Sequence, residues 1–501
     1  MRNSTKIWLI AVSALLTAVA FPPYKLGFLV YFSPILLLIV IDRLPARQAF
    51  AFGYLWGIIF NLGTLYGVFW ATVGGTFGML AAISLIPALN VLAYKFVSNK
   101  SRILGYVIWP LIWVAWDYLR TLTQFNFPWN DYGYTQASYL PIIQAAEIFG
   151  VYGVSLMIHV VNILLYSIIV SDLKNKSRLA LLSIAAFLPV AFMIYGYIRI
   201  PAQTEPGDLD IALIQGNITR DIKWSSGGRA ISFATYMNMT REAYQKGVDL
   251  VIWPETALPY YLLHKQNHLQ RVQNLVDSST VSLLTGIPHY ISVGLGEYVY
   301  FNASALITPE ADSVPHYEKV KLVPMSERIP FSGRFKVLKE IRLGQADFSS
   351  GRYATIFDLD STKFATVICF ESAFPGYCAD FCRKGAEFLV VITNDMWFGP
   401  SSLPYSHAAM SAFRAVENRV PLARCANTGI SMFFDKYGRI FGNTDTYERT
   451  ISYGAIMPEK STSVYNKLGD ILPEGCALAS IIIILAVAFL KRGKYNEIYE
   501  N

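Results

Sequence analysis

A polytopic α-helical membrane region joined to a large α/β domain is the fold class this sequence predicts. Only 15% of its 501 residues are charged and 53% are hydrophobic, against roughly 25% charged in soluble domains. Long apolar blocks fill about the first 200 positions and return only at 472–490. Between them, short β-branched runs alternate with stretches of helical spacing.

A hydrocarbon core of about 30 Å needs about 20 apolar residues per helix. Suitable blocks at 7–21, 27–41, 52–71, 77–97, 103–118, 148–170, 179–198 and 472–490 predict eight transmembrane helices. The first two are short and separated only by "PPYK", so a tight hairpin is expected. A cleavable signal peptide is disfavoured, because no small-residue cleavage site follows and another span begins at once. Basic residues crowd one set of loops: Arg2, Lys6, Arg43, Arg47, Lys95, Lys100, Arg102, Lys174, Lys176, Arg178, Lys491, Arg492 and Lys494. The other set has only Lys25, Arg120 and Arg199 near its span ends. That asymmetry predicts cytoplasmic termini and an external segment before the last span. The net charge of +7 comes largely from those cytoplasmic loops and does not argue for nucleic acid.

The expected organisation is a membrane domain at 1–199, an external domain at 200–470, and a final span with its tail at 471–501. The external segment is long enough to bury one substantial core. Its strand-like runs are "LDIALIQGN", "VDLVIWPE", "VSLLTGIP", "FATVICFES", "EFLVVITND" and "RTISYGAIMP"; "ISFATYMNMTREAYQKG" and "HAAMSAFRAVENRV" have helical spacing. No internal repeat, glycine-rich phosphate loop or HExxH is present, and the six histidines are scattered without zinc spacing, so no metal is expected.

Three residues near strand ends are candidates for chemistry. Glu255 follows an apolar run and a proline in "LVIWPET", Lys319 sits in "YEKVKLVPMSERIPF", and Cys369 closes "ATVIC". Each also has a plain reading: Glu255 as a helix N-terminal carboxylate, Lys319 as an exposed strand residue, Cys369 as packing. Together they supply what acyl transfer on a thiol requires. A cation favours the thiolate, a carboxylate carries the proton, and the same ammonium can stabilise the oxyanion.

"WPET", "KVKLVPMSERIPF", "CFES" and "NDMWFG", in that order and at these separations, resemble the nitrilase superfamily with its Glu-Lys-Cys triad. With seven spans before the domain and one after it, plus "FPWNDYGYTQ" and "QGNITRDIKW", nearly the whole chain is similar to the membrane-bound branch of that superfamily, the bacterial apolipoprotein N-acyltransferase family. The resemblance implies a nitrilase-like α-β-β-α sandwich with Glu255 as general base, Lys319 as the triad lysine and Cys369 as nucleophile. Lys319 is chosen over Lys321 because the family lysine stands eight residues before the motif glutamate, here Glu327. It further implies supporting or substrate-binding roles for Trp224, Asn302, Glu327, Phe370, Glu371 and Asn394. Met325 and Ser326 depart from the commoner "PFGE", and Phe370 stands where some relatives have tyrosine.

The resemblance also implies the partners: a phospholipid acyl donor, a diacylated apolipoprotein acceptor and the bilayer of the bacterial inner membrane, with the catalytic domain periplasmic. No cofactor and a monomer are expected. Trp109, Trp113, Trp116 and Trp129 are expected near the outer boundary, as interfacial anchors or substrate contacts. Asn61, Asn90, Glu147 and His159 fit either a lipid path or helix packing. Cys378, Cys382 and Cys425 are expected as free or structural thiols, a disulfide being the alternative. A membrane-tethered amidase or nitrile hydrolase is the second functional reading. A transporter or binding module is the third, and the complete triad argues against it.

Overall fold

The computed structural model describes residues 1–203, 206–223, 225–294, 296–332, 334 and 347–489. Five helices among them are long and apolar enough to cross a membrane: Ala46–Trp70, Val73–Ser98, Ala146–Val170, Asn175–Arg199 and Ile471–Phe489. They coincide with the predicted spans at 52–71, 77–97, 148–170, 179–198 and 472–490. The other three predicted spans are helical but shorter or more polar. Asn3–Ala18 has 16 residues, Ser33–Asp42 follows a 3-10 turn at Gly27–Tyr31, and Arg102–Leu119 carries Arg102, Asp117 and three tryptophans. The outer face of Asn175–Arg199 exposes Leu179, Ile184, Phe187, Ile194 and Ile198. A continuous apolar face of that kind suits lipid and is costly in water.

One expectation for the membrane region changes, and one open alternative is decided. Trp109, Trp113 and Trp129 are buried, not placed at a lipid boundary. Trp113 packs edge-on against Trp109 and Trp56 and stacks on His159 at 5.2 Å, so these rings fill the bundle core. Glu147 does not line an open path either. It accepts hydrogen bonds from Arg419 and, at 2.7 Å, from Arg199, and so joins two membrane helices to the α/β domain. Burial without partners is expensive for a carboxylate, and pairing offsets it. A second tie forms where Gly150 takes φ +63° inside Ala146–Val170. This breaks the helical pattern locally, and the Val151 N–H donates to Glu417 at 2.9 Å. A side chain at Gly150 would meet Tyr465 at 2.6 Å.

The α/β domain holds twelve strands among the described residues: β1 (Leu209–Gln215), β2 (Leu250–Ile252), β3 (Ser282–Gly294), β4 (Glu297–Ile307), β5 (His316–Glu318), β6 (Phe357–Leu359), β7 (Thr362–Ile368), β8 (Phe388–Thr393), β9 (Leu422–Ala426), β10 (Met432–Phe434), β11 (Ile440–Phe441) and β12 (Thr450–Ile456). They form two six-stranded sheets, ordered β12-β1-β2-β3-β4-β5 and β11-β10-β9-β8-β7-β6. Parallel pairing joins β1, β2 and β3 in one sheet and β7, β8 and β9 in the other. Parallel strands are covered on both faces, which explains continuous apolar runs such as "FLVVIT". Alternate residues of the first sheet enter different cores. Leu213, Leu284 and Leu306 face the second sheet, whereas Ile214, Leu283 and Ile307 meet helices Gly228–Tyr244 and Gln266–Ser279. Helix Leu403–Asn418 lies on the second sheet and packs against membrane helix Ala146–Val170. All six predicted strands and both predicted helices are present; β4, β5, β6, β9, β10 and β11 were not foreseen.

Candidate active site

Parallel strands deliver their C-terminal ends to one edge of a sheet, and the turns beyond them hold the functional groups. Cys369 follows β7 at once, with φ +51°, and opens the 3-10 turn Cys369–Ala373. A left-handed conformation at a non-glycine residue costs of order 1–3 kcal/mol and persists only where the surroundings impose it. Here Glu371 imposes it by accepting from Ile368 N at 2.8 Å, while Ser372 Oγ donates to Cys369 O at 2.8 Å. The thiol residue is partly exposed between buried neighbours.

Glu255 stands three residues beyond β2 and is buried. One carboxylate oxygen accepts from Asn302 Nδ2 at 2.7 Å and the other from Asn394 N at 2.9 Å. Lys319 follows β5 and is 1% exposed. Its ammonium donates to Glu327 at 2.8 Å and lies 3.5 Å from Glu255. Burial opposes that charge, but Glu327, Glu255 and Cys369 together hold the lysine above its ordinary range, so it stays protonated. Lys321 turns elsewhere, over the rings of Phe374 and Tyr377 at 5.1 and 5.8 Å.

Burial pushes the Cys369 thiol up, Glu255 adds to the rise, and Lys319 opposes it. The thiol form is therefore favoured at rest, and any reaction through the thiolate needs a proton acceptor. Replacing Glu255 with Gln removes a charge that disfavours the thiolate. The pH profile of Cys369 alkylation should accordingly move to lower pH in Glu255→Gln, even though turnover is lost. An unchanged or higher alkylation midpoint would contradict this electrostatic assignment.

Of the supporting residues, Asn302 bridges Glu255 and Glu327, and its backbone oxygen accepts from Lys319 N at 2.8 Å. Asn394 uses its N–H on Glu255 and its side-chain oxygen to accept from Asn427 at 3.1 Å. Glu371 is wholly buried beneath the site. It accepts from Val320 N, Lys321 N and the Tyr317 hydroxyl, tying the lysine segment to the turn that opens at Cys369. Phe370 is buried against Trp129, nearly parallel at 6.3 Å. Trp224 lies outside the described residues. The five cysteines are free, among them Cys378, Cys382 and Cys425, for which a disulfide was the alternative.

Trp129 therefore belongs to the wall of the site, where it also meets Phe398 and His407. Trp129→Ala should open a cavity costing about 3–5 kcal/mol and lower thiol reactivity and phospholipid use together. A protein with intact thiol reactivity that failed only on bilayer lipid would restore the interfacial role.

Other residues contribute that sequence reasoning passed over. Buried Lys223 donates to the backbone oxygen of Thr256 and, at 3.0 Å, to its hydroxyl, bracing the turn after Glu255. Burial brings this lysine down to about 8 against the opposing pull of Glu255. His407 sits 3.1 Å from Cys369 O, with Asp395 and then Arg424 behind it. Burial, then Arg424, lower the histidine's pKa, favouring the neutral imidazole. Lys223 lay within a quoted motif, but nothing local marks His407 or Arg424. A cavity of about 1000 Å³ opens over Glu255, Asn302, Glu327 and Asn394, with Arg220 and Lys223 on its wall.

Residues 210–466 match the carbon-nitrogen hydrolase family, and residues 13–164 match the apolipoprotein N-acyltransferase N-terminal domain. The apolipoprotein N-acyltransferase of Geobacter metallireducens is 32% identical over 507 residues, covering 98% of this chain and 96% of that protein. The chain belongs to the apolipoprotein N-acyltransferase family. The enzyme of that name from Chlorobaculum tepidum is 29% identical, with 98% of each chain covered. Among solved structures, an amidase from Nesterenkonia sp. aligns at 15% identity and TM-score 0.40, covering 55% of this chain and 98% of the amidase. In this family member the membrane-domain match and the hydrolase match meet physically at Glu147–Arg419 and Val151–Glu417.

Proposed function

We propose that this chain transfers an acyl chain from a phospholipid, through a thioester on Cys369, to the N-terminal α-amino group of a diacylated apolipoprotein. The observation that supports it best is the buried ammonium of Lys319 shared by Glu327 and Glu255, in a domain braced against apolar membrane helices. Glu255 takes the thiol proton, and the thiolate attacks the ester carbonyl. Negative charge develops on the carbonyl oxygen, where the Lys319 ammonium stabilises it. Collapse breaks the ester C–O bond, and Glu255 returns its proton to the departing lysophospholipid. The acceptor amine then attacks the thioester, Glu255 takes the amine proton, and the thiolate leaves and is reprotonated. Splitting the transfer replaces attack of an amine on an ester with two easier steps.

The test is turnover with labelled phospholipid and a diacylated lipopeptide. Phospholipid alone should release lysophospholipid in roughly stoichiometric amount and leave an adduct sensitive to neutral hydroxylamine. The lipopeptide should discharge that adduct as an amide. Rapid release of free fatty acid would favour a membrane-tethered hydrolase.

The proposal includes eight spans, cytoplasmic termini and an α/β domain on the outer side of the inner membrane. Its support is the distribution of Lys and Arg among the loops. A periplasm-dependent reporter fused after Thr204 should be active, and fusions at Lys176 or after Lys494 silent. Activity at Lys176 would overturn this topology.

A further inference from the structure

The histidines that look scattered in the sequence are partly gathered by the first sheet. His289 of β3 lies opposite Phe301 of β4, while Glu318 and His316 of β5 lie opposite Ala303 and Ala305. Side chains alternate along a strand. Phe301, Ala303 and Ala305 thus share one face, and Asn302 takes the other with the triad. His289, His316 and Glu318 stand on the outer face, and the two alanines between them leave room for these longer side chains to meet across β4. One ring nitrogen from each histidine and a Glu318 carboxylate oxygen lie within 4.8 Å of one another.

His289 is 6% exposed, and its Nδ1 is buried without a hydrogen-bond partner among the described residues. An unpaired buried imidazole nitrogen is costly unless something binds it. The ring of His264 stacks over His289 at 5.2 Å, and its Nε2 lies 2.9 Å from Tyr290 O.

We propose that His289, His316 and Glu318 form a site for a divalent transition ion of the zinc type, which ties β3 to the edge strand β5. Two imidazoles and a carboxylate are a donor set that zinc accepts, with water in the fourth position. Tetrahedral donors at about 2.0–2.2 Å from the ion stand roughly 3.4 Å apart, so the three groups draw inward on binding. His316 and Glu318 are only partly buried and have freedom to do so. The site lies outside the reaction, but both strands serve it. β5 is three residues long, pairs among the described residues only with β4, and is followed at once by Lys319. β3 supplies Gly286, where a Cβ would meet the Glu255 backbone at 2.6 Å. An ion joining β3 and β5 holds the supports of the lysine and the carboxylate in register.

The test uses full-length, tag-free protein in detergent, stripped with chelator. Zn(II) should bind with one saturable equivalent and raise Tm, and Co(II) should give the visible bands of a four-coordinate site. His316→Ala and Glu318→Gln should each weaken Zn(II) binding at least ~10-fold, since loss even of an outer partner of a metal ligand costs that much. His268→Ala, on helix Gln266–Ser279, should bind as the wild type does. No saturable equivalent in the wild type, or unchanged binding in a folded His316→Ala/Glu318→Gln double variant, would overturn the proposal.

Discussion

Cys369→Ala should reduce acyl transfer by on the order of 10⁴-fold or more, the scale of losing a covalent nucleophile. The substitution removes the attacking atom and little volume. Alanine meets the same φ of +51° as cysteine, so the strained turn is neither relieved nor worsened. Its ties to Glu371 and Ser372 run through backbone atoms of residues 368 and 369 and persist. Lysophospholipid release without acceptor should disappear, and with it the hydroxylamine-sensitive adduct, while Tm stays near the wild-type value. Transfer that survived in Cys369→Ala would sink the covalent mechanism.

Lys319→Met should be almost as damaging, for two separable reasons. Loss of a preorganised oxyanion partner costs roughly 10²–10³-fold in rate. The same change leaves Glu255 and Glu327 facing each other without their shared cation, and breaking a buried ion pair from one side costs about 3–5 kcal/mol. The wild-type lysine is held above its ordinary pKa. Its stabilising contribution is therefore full below the ordinary lysine value and is lost only as pH rises through the raised one. The stability gap between wild type and Lys319→Met should persist across neutral pH and narrow under strong alkali. Lys321→Met should lose only a few-fold in rate, because that ammonium lies over Phe374 and Tyr377. If Lys321 proved essential and Lys319 dispensable, the assignment in "KVKLVP" would be displaced by two residues.

The strands that lead into Glu255 and Cys369 were legible because parallel strands buried on both faces must be apolar throughout. Glu255 and Cys369 stood out as polar residues just beyond such runs. Short edge strands were not legible: β5 is three residues and β11 is two, too brief for an alternation to register. The shorter first two helices and the tryptophan-rich Arg102–Leu119 explain why apolar length alone reads eight spans while five helices pass on length and apolarity together.

Local sequence, then, determined the two-part architecture and the candidate residues Glu255 and Cys369 beyond apolar runs, since periodicity and residue type are properties of neighbouring positions. Tertiary structure brought Lys319, already preferred over Lys321 by its spacing from Glu327, against Glu255 and Glu327. It also decided that Trp129 packs on Phe370 within the site, that Glu147 binds Arg419, and that Glu371 organises backbone around the nucleophile. It brought His289 beside His316 by pairing β3, β4 and β5. Each of those outcomes depends on which face a side chain presents after distant strands and helices pack. A one-residue change of register reverses that face, and composition carries no record of it.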